Sequence, residues 1–158
     1  MPLRIAAKVP RGERGYFKDR LEPMIDGKQI SLIGEVNDHA KEQFLSEAAA
    51  LLFPIDWPEP FGLVMIEAMA CGTPVIAFHR GSVPEVIDEG LTGLIVDTEE
   101  EAVRAVRRLD ELDRQRVRAG FERRFTASRM AGDYVKIYKT LANRSTTASQ
   151  VHFASSAG

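Results

Sequence analysis

The sequence predicts an α/β fold: a mainly parallel sheet with flanking helices. Three observations carry it. Short apolar segments alternate with helical stretches from Leu3 to Ala142, the pattern of strands joined by helical crossovers. Gly and Asp-Gly turns punctuate the alternation, at Gly27, Gly34, Gly72 and Gly90–Gly93. Leu, Ile, Val and Phe supply 42 of 158 residues, enough to build a core and well above the range of disordered chains.

Each element has its own reason. Leu3–Val9 is a short apolar strand. Tyr16–Ile25 is a weakly amphipathic helix ending at the Asp26-Gly27 turn, and Gln29–Val36 is a second strand. Asn37 or Asp38 caps a helix over Asp38–Ala50. Leu51–Ile55 is wholly apolar, as a buried parallel strand should be. Gly62–Cys71 is a helix with apolar residues on every side, expected to be buried all round. Pro74–Phe78 is the fourth strand and Leu94–Val96 the fifth, with a short helix between them capped by Ser82 and opened by Pro84. Glu99–Ala142 is helical, interrupted near Leu109–Asp113 and near Thr126. The segment 143–158, rich in Ser, Thr and Ala without periodicity, reads as a disordered tail.

Composition narrows the function classes. A net charge of -2 argues against a dedicated nucleic-acid binder. One cysteine, Cys71, excludes a disulfide scaffold and a thiolate metal cluster, and its apolar setting reads as an inert buried thiol. His39, His79 and His152 are scattered without metal-ligand spacing. No apolar run is long enough to span a membrane, and residues 1–8 lack a signal-peptide core, so a cytoplasmic protein is expected. Nine arginines against four acids between Arg104 and Arg129 read as a solvated helix face or, alternatively, a site for an anionic partner.

The informative chemistry lies between Pro54 and Phe78. From Pro60 through Phe78, Glu67 is the one ionisable side chain apart from the Cys71 thiol. A carboxylate on an apolar helix must be compensated. The positive helix N-terminus can do so, since Glu67 is placed in the first half. So can a ligand offering two hydroxyls, or a structural partner such as an arginine or backbone amides. Just before this helix, the loop Asp56–Gly62 joins the carboxyl end of a strand to a helix N-terminus, where ligands bind in open α/β sheets. Free amides there suit a phosphate. Glu59 in that loop either faces the same crevice or is a solvated acid, and Trp57 either meets a ligand or anchors the loop.

The stretch EPFGLVMIEAMACGTPVIAF, Glu59 to Phe78, closely resembles the nucleotide-sugar-binding signature of group 1 (family 4) glycosyltransferases of GT-B fold. Glu59 and Glu67 are separated by seven residues, as in that family's paired-glutamate motif. LIGEVNDHAKEQFLSEAAALLFP before it, and RGSVPEVIDEGLTGLIVD and FERRFTASRMAGDYVKIYKTL after it, are similar to the flanking family elements.

The resemblance implies a Rossmann-like, C-terminal donor-nucleotide-binding domain over residues 1–142. Its first strand–helix unit, with an Arg and a Lys that grip the diphosphate, and the acceptor-binding N-terminal half are missing. It implies that Glu67 binds the nucleotide ribose. Glu59 contacts the donor sugar as the catalytic carboxylate, with backbone amides of Phe61, Gly62, Leu63 and Val64 near sugar and diphosphate. Val36, Asp38 and Lys41 line the nucleobase pocket, though Lys41 reads equally well as a solvated helix residue. Transfer from a nucleoside-diphosphate sugar to a sugar, lipid or small-molecule acceptor is expected to retain anomeric configuration and to need no metal or other cofactor. This chain alone is expected to be inactive. The alternative is a non-catalytic nucleotide-sugar-binding remnant, or a subunit completed by another chain. With the central strand missing, two apolar strand edges are expected to be exposed and to favour a homodimer.

Overall fold

A computed structural model describes the backbone of residues 1–154 and the side chains of residues 1–142. The chain divides into two compact units, Met1–Glu47 and the residues from Ala48 onward.

In the first unit, β1 (Leu3–Ile5) and β2 (Ile30–Leu32) pair in parallel, Leu3 opposite Ile30 and Ile5 opposite Leu32. Both strands are shorter than their apolar runs. Gly34 at φ +81 turns the chain away just after Ile33, so Ile33 N–H to Ile5 O is the last rung of the ladder. The helix expected over Tyr16–Ile25 is instead a chain of short turns. A 3-10 turn at Arg11–Glu13 leads into α1 (Arg14–Tyr16), then a π turn at Phe17–Leu21 and a 3-10 turn at Glu22–Met24. Pro23 has no N–H to give and crowds the preceding turn, which stops an α-helix there. After β2 comes α2 (Asp38–Ser46), with Asn37 as cap, its side chain accepting from Ala40 N–H at 2.9 Å.

The second unit carries a three-stranded parallel sheet in the order β3 (Leu51–Phe53), β4 (Val75–Phe78), β5 (Gly93–Val96). On β4, Ile76 and Phe78 point to one face. There Ile76 joins Leu94, Val96, Ala105 and Leu112 in a core closed by α5 (Glu99–Val106). The opposite face is covered by α3 (Leu63–Ala70), itself packed on α6 (Arg114–Arg124). Met65, Met69 and Val117 there are fully buried. The remaining helices are α4 (Val83–Val86) and α7 (Ala127–Ala154). The breaks expected near Leu109–Asp113 and Thr126 fall where α5, α6 and α7 are separated. α7 takes in residues 143–154 of the segment read as tail; the side chains of that segment, and residues 155–158, lie outside the described residues.

Three local expectations are corrected. β3 is not fully buried, because it pairs with β4 alone among the described strands and Leu52 is 42% exposed. α3 is not buried all round: Leu63 is 64% exposed, and Val64, Ile66, Glu67 and Ala70 are half-buried. Ser82 does not cap α4 through its side chain. Its backbone is already helical (φ -77, ψ -7), whereas a capping hydroxyl needs extended geometry, and its Oγ is buried without a partner among the described residues.

Candidate functional site

The loop from Asp56 to Gly62 leaves the carboxyl end of β3 and turns into α3 at Gly62, which sits at φ +71. Its positive φ favours glycine, and a Cβ there would lie 2.7 Å from Met65 Cε and 3.2 Å from the Phe53 ring, so that the end of the Met65 side chain would have to shift.

Glu59 is half-buried and held at both carboxylate oxygens. Its Oε1 accepts from Gly62 N–H at 3.2 Å, at the start of α3, and its Oε2 accepts from the Trp57 indole at 3.0 Å. The indole thereby anchors the loop, while the Trp57 side chain remains 58% exposed. The Glu59 carbonyl accepts from Ser82 N–H at 3.0 Å. Gly81, at φ +51, presses so closely that a Cβ there would sit 2.4 Å from the Glu59 oxygen. Beside the loop, Arg80 Nε stands 3.8 Å from Asp56 and its Nη1 donates to the His79 carbonyl at 3.0 Å. Phe61 meets Phe125 edge-on, centroids 6.3 Å apart.

Glu67 is the fifth of the eight residues of α3 and half-buried. That is past the first turn, within which the helix dipole is felt most, so the N-terminus compensates this carboxylate less than its expected place implied. The far end of α3 is held from α6. Arg118 donates to the Ala70 carbonyl, and Arg114 donates to Thr73 Oγ1 at 2.8 Å and to the Ala48 carbonyl at 2.7 Å. Guanidinium groups here satisfy carbonyls left open at a helix C-terminus. Arg124 does the same for α4, donating to the Val86 and Glu85 carbonyls and to Asp88 at 2.7 Å. So the arginine run read as a solvated face or an anion site includes three residues that serve as internal clasps. Cys71, expected to be buried, is half-buried.

The structure brings Glu59 and Gly62 into direct contact and sets Phe61, Leu63, Val64 and Glu67 along the same loop and helix. Val36, Asp38 and Lys41 belong to the first unit. There Val36 is half-buried, Asp38 is exposed, and Lys41 Nζ lies 3.3 Å from Asp38. Sequence reasoning gave Arg80, Gly81, Arg124 and Phe125 no individual role at the loop. The one available signal was Gly81, whose position after a strand marks a close backbone approach.

A parallel α/β sheet with a glycine-started helix at the carboxyl end of a strand is the arrangement at which open α/β folds bind ligands. The sequence matches the family described as "Glycosyl transferases group 1" over residues 12–124, and the chain belongs to that family. It is 31% identical over 154 residues to a phosphatidyl-myo-inositol mannosyltransferase of Mycobacterium leprae, covering 93% of this chain and 40% of that protein. Among solved structures, HepE of Anabaena, crystallised with UDP, superposes with TM-score 0.77 at 21% identity, covering 89% of this chain and 41% of the other. Sucrose-phosphate synthase of Thermosynechococcus elongatus does so with TM-score 0.76 at 24% identity, covering 90% and 39%. The GT-B neighbours share the fold anticipated from the sequence. The chain spans 34% and 40% of the length of two curated relatives it matches.

Proposed function

We propose that this chain forms the donor-binding part of a glycosyltransferase that takes a sugar from a nucleoside diphosphate and transfers it with retention, without metal. The observation that carries the reading is the pairing of Glu59 and Glu67 on one loop–helix segment. Glu59 is fixed at the start of α3 and Glu67 sits half-buried along it. Family membership supports the reaction class, and HepE's complex with UDP supports the choice of probe. In this reading Glu67 takes the ribose diol on its two carboxylate oxygens. Glu59 and the amides of Phe61, Gly62, Leu63 and Val64 face the sugar and diphosphate, and Val36, Asp38 and Lys41 serve the nucleobase. The acceptor (a sugar, a lipid or a small molecule) is bound by a half of the enzyme outside this chain.

Calorimetric titration with UDP tests it. The chain is expected to bind weakly, near millimolar, as a half-formed pocket does. Glu67→Ala should cost roughly 1.5–3 kcal/mol of that binding, the scale for hydrogen bonds to a charged group. Unchanged affinity in a folded variant removes Glu67 from the ribose site. Sugar transfer by this chain alone would show that it is more than a donor half.

The same reading covers association. β1 pairs with β2 only, and β3 with β4 only, among the described strands. Leu3 and Leu52 on those strands are 39% and 42% exposed. Such edges recruit another chain, so sedimentation at rising concentration is expected to show dimers. A concentration-independent monomer with a sharp melt refutes this.

A further inference from the structure

The loop that carries Glu59 is supported on two flanks by consecutive residues, Arg124 at the end of α6 and Phe125 just after it. On one flank, Arg124 grips α4: it donates to the carbonyls of Val86 and Glu85 and to Asp88 Oδ1 at 2.7 Å. The residue opening α4, Ser82, donates its N–H to the Glu59 carbonyl at 3.0 Å, and the preceding Gly81 packs directly on the Glu59 backbone. On the other flank, the Phe125 ring meets Phe61 edge-on at 6.3 Å and 78°. The two supports are themselves joined, since the Arg124 guanidinium lies over the Phe125 ring, 4.7 Å from its centroid. Cation and ring attract one another there, so moving either disturbs both flanks.

We infer that Arg124 and Phe125 are positioning residues for the Glu59–Gly62 loop, a brace that holds the Glu59 carboxylate and the amides after it where the donor sugar is to lie. The functional consequence rests on the donor-binding reading above; the brace itself does not. Neither residue needs to touch the ligand. Arg124 acts through α4 and the Glu59 carbonyl, and Phe125 through Phe61. The far end of the helix that carries Glu67 is held separately, by Arg118 bonded to the Ala70 carbonyl. Loss of the brace should therefore fall more heavily on sugar recognition than on nucleotide recognition.

Trp57 supplies a readout that needs no ligand. It is the sole tryptophan, and its indole donates to Glu59 Oε2 at 3.0 Å. Three variants are compared with the parent chain: Arg124→Lys, Phe125→Leu and, as a control of the same chemistry, Arg118→Lys. Trp57 emission should shift to the red and acrylamide quenching should rise in the first two and not in the third. With UDP and UDP-glucose as probes, the first two should lose roughly fivefold in affinity for UDP-glucose, the size of one displaced hydrogen bond, and clearly less for UDP, which meets the loop through its diphosphate alone. A merely structural role would weaken both probes alike, or leave Trp57 undisturbed, and either result overturns the inference. So does an Arg118→Lys variant that behaves like the others. If Arg124→Lys fails to fold, Phe125→Leu decides alone, since it removes the ring that meets Phe61 without removing any Arg124 donor to α4. If the parent chain binds neither probe, the donor-binding reading fails while the Trp57 series still decides the brace.

Discussion

The two units of this chain are built to different standards. Among the described residues, the first unit buries one apolar side chain, Leu45, while fifteen are buried from Ala48 onward. The first unit has two three-residue strands and a run of short turns. The second has a three-stranded sheet covered by helices on both faces, with guanidinium groups closing the ends of α3 and α4. Proposed site residues are divided between them. Glu59 and Glu67 ride on the packed framework, whereas Val36, Asp38 and Lys41 ride on the lightly packed one. The residues proposed to hold sugar and ribose thus sit where packing removes freedom, in keeping with the preorganisation such sites need. Amide exchange should show the contrast directly, with β1 and β2 opening at lower free energy than β4 and β5.

Glycine substitutions give the largest expected contrast. Gly93 lies in β5 opposite Val75, and a Cβ there would stand 2.1 Å from the Val75 carbonyl oxygen. Backbone cannot move aside as a flexible side chain can, so Gly93→Ala should force β4 and β5 apart and cost about 3 kcal/mol, the upper range for overpacking. Gly15, in α1 of the first unit, has nothing within 4 Å of its would-be Cβ. Gly15→Ala should be neutral or stabilise by up to about 1 kcal/mol, the helix preference of Ala over Gly. Paired chemical melts check both. Equal effects at the two positions would break the comparison.

Legibility in the sequence follows the same division. Where apolar runs meet a strong stop, ends are readable to within a residue: α3 ends at Ala70, one residue short of the expected Cys71, and α6 ends before Thr126. The paired glutamates were readable because the stretch around them holds almost nothing else that ionises. Their environment was not. That Glu59 would be pinned by its own neighbour Trp57 and by Gly62 depends on loop closure, to which side-chain type gives no clue. The arginines between Arg104 and Arg129 were misleading for a related reason. Composition counts charges, but it does not say that Arg114, Arg118 and Arg124 reach back 38 or more residues to find carbonyls. In the first unit, Pro23 inside the helical pattern is the local signal against a continuous helix, and the chain there is a run of short turns.

The smallest expected effect concerns acid and belongs to the first unit. Asp26 Oδ1 accepts from the amides of Gln29, Lys28 and Ile30 at 2.7–2.9 Å, tying the turn at Gly27 to the start of β2. The Ile30 amide, followed by that of Lys28, holds this carboxyl below its ordinary value. A carboxyl depressed in the folded state contributes stability that is fully present above its unfolded value, near 3.9, and is lost as pH falls through the lower folded value. A global acid melt cannot isolate this, because Glu111, held down by Arg108, and Asp133, held down by Lys136, lose their pairing in acid as well. Both of those lie in the second unit. The decisive measurement is local: amide exchange at Lys28 and Ile30 as pH is lowered below about 4, corrected for the intrinsic pH dependence. Protection there should fall while the β4–β5 amides keep theirs. Asp26→Asn, which keeps an acceptor and removes the titration, should abolish the step. An Asp26 carboxyl titrating at or above the ordinary value would show that the turn is not held by charge.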